Sequence, residues 1–275
     1  MTEEFTTDIS SYRPKVSQSE IEKIITDSTS GTTGKEKRVY YTKEDLNKTI
    51  EVFMKGLSEV VDRKCLVCFP NTGTNSLGDL IATAIRNLGA EPVDAGIGKT
   101  YREILSLAEG CDSFVGFPQM LLALTRIKPG LFKRALISGD YCIKAYYGVP
   151  VYPHYGSREI GLAGAISCRC RNGMHMRPDV DVEIMDDGEL VVTTHLDAMP
   201  LYRYKTGDYT HIIPGKCECG LDWVKIGPVS RHNEIEKLDD EMFNKYPDLI
   251  DWRGERLVFK DEINEKPLFN GKRHI

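Results

Sequence analysis

The fold class is decided by residues 65–95, which read CLVCFPNTGTNSLGDLIATAIRNLGAEPVDA. The short apolar run Cys65–Phe69 is closed by a proline and predicts a buried strand. Asp79–Leu88 has helical spacing and ends at a glycine, and Glu91–Ala95 predicts a second short strand. A strand, a helix of about ten residues and another strand form a βαβ unit. The pattern therefore favours an α/β protein with a parallel sheet.

The same alternation extends in both directions along the chain. Upstream, the pattern predicts helices over Glu20–Thr26 and Lys43–Val61 and a strand over Arg38–Thr42. Downstream, short strands are predicted at Ser113–Gly116, Ala135–Ser138 and Val149–Tyr152. A helix at Tyr101–Glu109 precedes the first of them, and a helix at Pro118–Thr125 lies between the first and the second.

The pattern changes from Val180 onward. Val180–Met185, Glu189–Thr194 and Tyr209–Ile213 are β-rich and separated by Asp-Gly and Pro-Gly turns, which predicts an antiparallel appendage on the α/β body. A charged segment follows, with a helix predicted over Glu234–Asn244 and a strand over Arg256–Lys260.

Composition excludes several classes of protein. The chain has 275 residues, 41% of them hydrophobic, which is enough to build a core and argues against wholesale disorder. A net charge of −5 argues against a protein that coats nucleic acid. The acidic start resembles no signal peptide, and no apolar run is long enough to cross a membrane. We therefore expect a cytoplasmic protein, in which eight cysteines indicate metal binding or burial rather than disulfides.

The loop Thr29-Ser-Gly-Thr-Thr-Gly-Lys35 combines four hydroxyl side chains with two glycines and a lysine. Glycines allow the backbone to approach a ligand, and hydroxyl and N–H groups can surround phosphate oxygens. The spacing excludes a Walker A loop, which has four residues between its glycines and a Ser or Thr after the lysine. Composition alone leaves a phosphate-binding loop and a flexible linker equally open.

Two further motifs carry carboxylates. Tyr155-Gly-Ser-Arg-Glu159 follows a predicted strand, where a glutamate could hold Mg²⁺ beside a triphosphate. Arg203-Tyr-Lys-Thr-Gly-Asp208 places a carboxylate at a turn, where it could accept hydrogen bonds from ribose hydroxyls. Taken singly, a solvated glutamate and a simple Gly-Asp turn are the simpler interpretations.

The three motifs together, in this order, resemble the adenylate-forming (AMP-binding) superfamily of acyl-CoA synthetases. Ala198-Met-Pro-Leu-Tyr-Arg-Tyr-Lys-Thr-Gly-Asp208, Cys217-Glu-Cys-Gly220 and Gly173-Met-His175 are similar to the phenylacetate–CoA ligase-like branch. The resemblance runs from about residue 28 to residue 231. It implies an adenylate-forming α/β core with mainly parallel sheets flanked by helices, a β-rich appendage and a small C-terminal lid.

The resemblance also implies roles for individual residues. Glu159 matches a Mg²⁺ ligand and catalytic residue, Asp208 the ribose-binding aspartate, and Arg231 the arginine near the hinge of the lid. The remaining residues match those that bind ATP or AMP, with Thr29 also assigned a catalytic role; they are Thr29, Ser30, Gly31, Thr32, Thr33, Gly34 and Lys35 of the phosphate loop, and Ser138, Gly139, Asp140, Tyr155, Gly156 and Ser157 around the adenine and acyl group.

The implied reaction activates a carboxylic acid, aryl or small and apolar, as its acyl-adenylate, and then forms a thioester with coenzyme A or a carrier thiol. Mg²⁺, loop N–H groups and a lysine would neutralise charge as two anions meet. Lys272, in a Pro-Leu-Phe-Asn-Gly-Lys tail, is the candidate lysine, although a solvated basic tail is the alternative. The alternative function is a non-catalytic nucleotide-binding relative that acts as a regulatory or partner subunit.

The resemblance divides the chain at residue 227. Residues 1–227 are expected to form the core, with the β-rich segment at about 165–227, and residues 228–275 to form the lid. Relative to the family, both ends are expected to be short, which bears on the thioester step. We expect no nucleic acid or membrane partner, and a homodimer is one arrangement open to the chain.

The cysteines suggest a metal site. Cys168, His175, Cys217 and Cys219 offer three thiolates and an imidazole, the closed tetrahedral set of a structural Zn²⁺. The first pair precedes the strands predicted from Val180 to Ile213 and the second follows them, so a metal would join the two ends of this stretch. Spacing leaves Cys170 open as an alternative to Cys168, and the resemblance favours Cys168. By contrast, the apolar surroundings of Cys65 and Cys68 indicate core positions.

Overall fold

The computed structural model describes residues 5–10, 12–27 and 37–268. Within them the chain forms five α-helices, each long enough for at least two turns. They are α1 (Lys43–Leu57), α2 (Leu77–Asn87), α3 (Tyr101–Leu107), α4 (Pro118–Ile127) and α5 (Glu234–Lys245).

Sixteen strands accompany these helices in the described part of the chain. They are β1 (Ile21–Asp27), β2 (Lys37–Thr42), β3 (Lys64–Cys68), β4 (Glu91–Asp94), β5 (Ser113–Gly116), β6 (Arg134–Ile137), β7 (Val151–Tyr155), β8 (Ala165–Ser167), β9 (Met174–Met176), β10 (Val180–Ile184), β11 (Glu189–Thr194), β12 (Tyr204–Tyr209), β13 (Ile212–Ile213), β14 (Lys225–Ile226), β15 (Leu249–Arg253) and β16 (Arg256–Phe259).

The α/β class is confirmed by a nine-stranded sheet in the order β13-β14-β9-β8-β7-β6-β5-β3-β4. The five strands from β4 to β7 run parallel and alternate with α2, α3 and α4 along the chain. The four strands β8, β9, β14 and β13 continue the sheet in antiparallel pairs. The parallel half fits the pattern of residues 65–137, because its strands are buried apolar runs that need helical crossovers.

The predicted β-rich segment contributes to two sheets. β10, β11 and β12 form a separate antiparallel sheet, as the turn-rich pattern predicts. β8, β9, β13 and β14, which flank the candidate metal ligands, instead pair with the main sheet. The expected strand over Tyr209–Ile213 is divided, because β12 ends at Tyr209 and the chain turns before β13 begins.

The helix predicted over Glu20–Thr26 is wrong. A single 3₁₀ turn over Gln18–Glu20 leads into β1, which pairs antiparallel with β2. Ile21, Ile24 and Ile25 are β-branched, and such side chains fit a strand better than a helix. The local polar spacing suggested helix, and pairing with the next strand along the chain overrides it.

The C-terminal segment packs on the α/β body through buried groups. The guanidinium of Arg126 in α4 donates hydrogen bonds to the carbonyls of Phe243 at 2.6 Å and Leu249 at 2.5 Å. The hydroxyl of Tyr101 in α3 donates to the Asp251 carboxylate at 2.8 Å. The predicted helix and strand of this segment are confirmed by α5 and β16. Its assignment as a lid and the domain boundary at 227 stay predictions.

No helix in residues 5–10, 12–27 or 37–268 has the length and apolar character that crossing a bilayer requires.

Candidate functional site

A cavity of about 410 Å³ lies at the carboxyl ends of the parallel strands. Phe69 follows β3, Ser138 follows β6 and Gly156 follows β7, and all three line it. Ligands of open α/β sheets bind at this edge, because loops from successive strands converge there. Apolar side chains form one part of the wall; they are Phe53, Phe69, Leu77, Ile81, Leu136 and Leu162.

The polar part of the wall is built around Asp208, which is 7% exposed. One carboxylate oxygen accepts a hydrogen bond from the Tyr155 hydroxyl at 2.8 Å, and the other accepts one from Nε of Arg231 at 2.8 Å. Each carboxylate oxygen can accept more than one hydrogen bond, so both retain capacity for a ligand hydroxyl. The structure thus joins three residues that the sequence assigned to one nucleotide site.

Electrostatics hold this cluster in a defined protonation state. Burial raises the pKa of Tyr155 well above its usual value, and the negative charge of Asp208 and the hydrogen bond to it raise it further. The hydrogen bond to Asp208 raises the pKa of Arg231. The tyrosine therefore remains a hydrogen-bond donor and the arginine a cation at neutral pH.

Glu159 lies in a tight loop that connects β7 to β8 and also lines the cavity. The Leu162 amide donates to the Ser157 carbonyl at 2.8 Å, and the Gly164 amide donates to the Tyr155 carbonyl at 2.9 Å. Leu162 adopts a φ of 69°, a left-handed conformation that costs free energy in a residue with a side chain. Strain of this kind persists only where surrounding contacts fix the backbone.

Arg177 supplies such contacts from behind the loop. Its residue is 0% exposed, and its guanidinium donates to the Ala163 carbonyl at 3.1 Å and to the Ile160 and Gly161 carbonyls at 3.4 Å each. Asp179 accepts two hydrogen bonds from the other guanidinium nitrogens, at 2.5 and 2.8 Å. A Cβ added to Gly161 would collide with the guanidinium, so this glycine lets the arginine approach the backbone.

Thr49 and Tyr41 tie the same loop to the body of the protein. The Thr49 hydroxyl in α1 donates to the Gly161 carbonyl at 2.6 Å, and the Tyr41 hydroxyl in β2 donates to the Arg158 carbonyl. Gly156 at the start of the loop packs against the Leu162 carbonyl, leaving no room for a side chain. The loop that carries Glu159 is therefore held from three elements.

The other predicted nucleotide-binding residues are placed as follows. Ser138, Gly139, Gly156 and Ser157 line the cavity, and Asp140 is turned toward Gln119, whose amide donates to it at 2.7 Å. Thr29, Ser30, Gly31, Thr32, Thr33, Gly34 and Lys35 of the phosphate loop, and Lys272 of the tail, lie outside the described residues.

The four candidate metal ligands form one cluster. The ligand atoms of Cys168, His175, Cys217 and Cys219 all lie within 4.8 Å of one another. The Cys168 and Cys217 sulfurs are 3.6 Å apart, and the Cys219 sulfur is 3.5 Å from Nε2 of His175. Tetrahedral Zn–S bonds of about 2.3 Å place two sulfurs roughly 3.7 Å apart, so the donor set and spacing fit zinc. A disulfide needs sulfurs at about 2.05 Å, which the pair does not meet.

Local structure explains how distant residues reach this cluster. Cys168 follows β8, His175 lies in β9, and the other two cysteines lie in the loop between β13 and β14. β9 pairs with β14 in a register that sets His175 opposite Lys225. A hydrogen bond from the Cys219 backbone lowers the pKa of Cys217 to about 6, which favours the metal-binding thiolate. Cys170 lies outside the set of four, although its thiol interacts with Cys217 and Cys168.

The site predicted from the sequence omits several residues that lie in or behind the cavity wall. Arg158 lines it at the centre of a recognised motif. His154 also lines it, and its Nδ1 is 2.8 Å from the Ser138 hydroxyl. Arg177 was missed because most of its partners are backbone carbonyls, which leave no signature in side-chain identity. The acidic residue two positions later, Asp179, was the available signal.

Comparisons with known proteins agree with the resemblance that the motifs indicate. No protein-family model matches the chain. Phenylacetate-coenzyme A ligase of Thermus thermophilus is 28% identical over 263 residues, which covers 81% of this chain and 57% of the relative. The chain therefore spans a little over half the length of that curated relative.

Solved structures of similar fold include 2-hydroxyisobutyryl-CoA ligase in complex with 2-HIB-AMP and CoA. The TM-score is 0.63 at 18% identity, covering 77% of this chain and 53% of that one. An o-succinylbenzoate CoA synthetase of Bacillus subtilis, bound with its product analogue, gives a TM-score of 0.53 at 18% identity, covering 76% and 49%. At these identities the likeness establishes the fold.

The chain is similar in sequence to a phenylacetate-coenzyme A ligase and similar in fold to CoA ligases of known structure, which agrees with the resemblance that the order of the motifs indicates.

Proposed function

We propose that the protein activates a carboxylic acid with ATP and Mg²⁺ as an acyl-adenylate, and then forms a thioester with coenzyme A or a carrier thiol. The observation that carries this proposal is one continuous cavity with two chemically different walls. Asp208, Arg231 and Glu159 line one part, and Phe53 and Phe69 line another. A polar nucleotide and an apolar acyl group would meet between them.

Each polar residue has a role in this proposal. Asp208 would accept hydrogen bonds from the ribose hydroxyls while Tyr155 and Arg231 keep its carboxylate in place. Glu159 would hold Mg²⁺, because a hard cation prefers carboxylate oxygen and this carboxylate belongs to the cavity wall. The bound cation would supply charge neutralisation as the acid carboxylate attacks the α-phosphorus.

The phosphate loop and the tail complete the proposed machinery. Lys35 and the hydroxyls of Thr29, Ser30, Thr32 and Thr33 would bind the β- and γ-phosphates, and Lys272 would contact the reacting carboxylate. These roles rest on the resemblance of their motifs.

We also propose that Cys168, His175, Cys217 and Cys219 hold one structural Zn²⁺. The support is their donor chemistry and their spacing. Four protein ligands complete a tetrahedral coordination, so no position would be left open for catalysis. The zinc would fasten the loop between β13 and β14 to β8 and β9.

The adenylation step is tested by acid-dependent exchange of pyrophosphate into ATP, with and without Mg²⁺. Asp208→Asn keeps the shape of the side chain and removes its charge, so we expect ATP-dependent kcat/KM to fall about 10- to 100-fold. Asp186→Asn removes the same charge at an exposed position and serves as the matched control. Equal loss in both variants would contradict the assigned role.

The same assay, combined with a measurement of ATP binding, distinguishes the proposed enzyme from the alternative function. ATP binding without exchange for any carboxylic acid would identify a non-catalytic nucleotide-binding protein. Exchange without subsequent release of coenzyme A thioester would limit the proposal to the first half-reaction.

A further inference from the structure

The guanidinium that contacts Asp208 lies largely in solvent. The Arg231 side chain is 67% exposed, whereas the Asp208 side chain is 10% exposed. An ion pair with one long, exposed side chain loses much of its gain to the entropy of holding that side chain still. The contact therefore depends on how firmly the backbone of Arg231 is held, because solvent surrounds most of its side chain.

The backbone around Arg231 is bound by the carboxylate of Glu236, in the first turn of α5. One carboxylate oxygen accepts a hydrogen bond from the Arg231 amide at 2.9 Å. The other accepts from the His232 amide at 3.1 Å and from the Ser230 hydroxyl. Glu236 is 8% exposed, so these donors take the place of water around a buried carboxylate. One side chain thus fixes three consecutive residues.

The conformation of the same segment needs such restraint. His232 adopts a φ of 54°, a left-handed conformation that costs free energy in a residue with a side chain. On the other side, Ser230 and Tyr209 exchange backbone hydrogen bonds of 2.8 and 3.1 Å in an antiparallel bridge. This register sets Arg231 beside Asp208 in β12, and the α5 carboxylate holds it there.

Helix α5 offers Glu236 from a fixed position. The Asn233 side chain caps the helix by accepting a hydrogen bond from the Glu236 amide at 2.9 Å. One turn further, Asp240 accepts hydrogen bonds from the Tyr141 hydroxyl at 2.6 Å and from the Lys144 amide at 2.7 Å. These contacts join α5 to the loop after β6, which contributes to the cavity wall. The helix is therefore anchored independently of the segment that it holds.

We propose that Glu236 is a positioning residue of the nucleotide site. It holds the backbone of Arg231 so that the guanidinium stays on Asp208, and the Asp208 carboxylate in turn stays oriented toward the ribose hydroxyls. Its effect is transmitted through these two residues and is confined to ligands that carry a ribose diol. The inference rests on the proposed binding of ribose by Asp208, and it extends the nucleotide site to a helix outside the cavity wall.

The test measures equilibrium binding of AMP and of 2′,3′-dideoxy-AMP, which lacks both ribose hydroxyls. Glu236→Gln keeps the length of the side chain and replaces one acceptor oxygen with an NH₂ group, which cannot accept a hydrogen bond from an amide or a hydroxyl. Because the hydrogen bonds between Asp208 and the ribose weaken, we expect about 10-fold weaker binding of AMP and dideoxy-AMP binding within about 2-fold of wild type. Glu241→Gln removes the same charge at an exposed position of α5 and should leave both affinities unchanged.

The contact between the arginine and the aspartate can also be followed directly by NMR. Nε–H of Arg231 donates to Asp208 at 2.8 Å, and its signal is assigned by its absence in Arg231→Gln. We expect exchange of this hydrogen with water to become about 10-fold faster in Glu236→Gln and to stay at the wild-type rate in Glu241→Gln. The measurement needs no nucleotide, so it is independent of the proposed function.

The outcomes separate the positioning role from the proposed function. Equal loss of affinity for AMP and dideoxy-AMP in Glu236→Gln, or an unchanged exchange rate of the Arg231 Nε–H, would overturn the inference. Wild-type protein that binds both nucleotides equally, or neither, would overturn the ribose role of Asp208, and the exchange rates would then decide the positioning role. If Glu236→Gln does not fold, Ser230→Ala removes a single hydrogen bond to Glu236 and should give a smaller loss with the same selectivity for AMP.

Discussion

Replacing Arg177 with methionine would test whether a buried cation holds the loop that carries Glu159. The substitution keeps an unbranched side chain and removes the paired hydrogen bonds to Asp179 and the contacts to the carbonyls of the loop. It would leave the Asp179 side chain, which is 21% exposed, without its cation.

The magnitude follows from burial. Removing one partner of a buried ion pair costs about 3–5 kcal/mol, and partial solvent access at Asp179 favours the lower end. At about 2–4 °C per kcal/mol for a protein near this size, we expect a fall in Tm of about 6–12 °C. Arg177→Lys keeps the charge, but its ammonium cannot bridge a carboxylate and several carbonyls at once. We therefore expect it to recover only part of the loss.

Calorimetry on the single variants, on Asp179→Asn and on the double variant would measure the coupling. Because the two side chains act as a unit, the double variant should lose less than the sum of the singles. A fall in Tm below about 2 °C for Arg177→Met, or strictly additive losses, would refute the reasoning. A specific effect on the loop should also raise KM for Mg·ATP more than KM for the acid.

Three further predictions concern other parts of the molecule. Cys219→Ser should remove most bound zinc in metal analysis and lower Tm, whereas Cys170→Ser should retain about one zinc per chain; equal retention would contradict the ligand set. The His154 side chain is neutral in the folded protein, where its pKa is about 3, and it ionises near pH 6.5 in the unfolded chain. It therefore lowers the free energy of unfolding as the pH falls below about 6.5. Urea unfolding of His154→Phe should accordingly show about 2 kcal/mol less loss between pH 7 and pH 5 than wild type, and parallel curves would contradict this. Gly161→Ala should lower Tm and adenylation together, because a methyl group collides with the Arg177 guanidinium at a φ of 81°; an unchanged Tm would show that the arginine can shift.

The parallel half of the sheet was predictable because its signals are local. Cys65–Phe69 is a continuous apolar run, Ser113–Gly116 is buried at every position, and Ser76 and Thr100 accept the hydrogen bonds that begin α2 and α3. The antiparallel half was not, since strands of two or three residues such as β13 and β14 carry too little pattern. Ile21–Asp27 is seven residues long and was misread for a different reason, because its pairing with β2 is not visible in the local pattern.

The candidate site was also predictable only in part. Motif order identified Tyr155, Asp208 and Arg231, which the structure joins by hydrogen bonds. Spacing and the resemblance together selected four candidate metal ligands, although not why they meet, which depends on the pairing of β9 with β14. The resemblance identified Ser138, but its hydrogen bond with His154 was beyond reach, because the two residues are 16 positions apart and only the fold brings their side chains to 2.8 Å.

The register of the main sheet links the cavity to the metal cluster. His154 in β7 stands opposite Ile166 in β8, and Ile166 stands opposite His175 in β9. At about 4.8 Å between neighbouring strands, the two histidine backbones are roughly 10 Å apart in one row. If the proposed zinc is bound there, we expect a chelator to lower the proposed activity from a distance, because loss of the metal would loosen β9 and, through β8, the strand that carries His154.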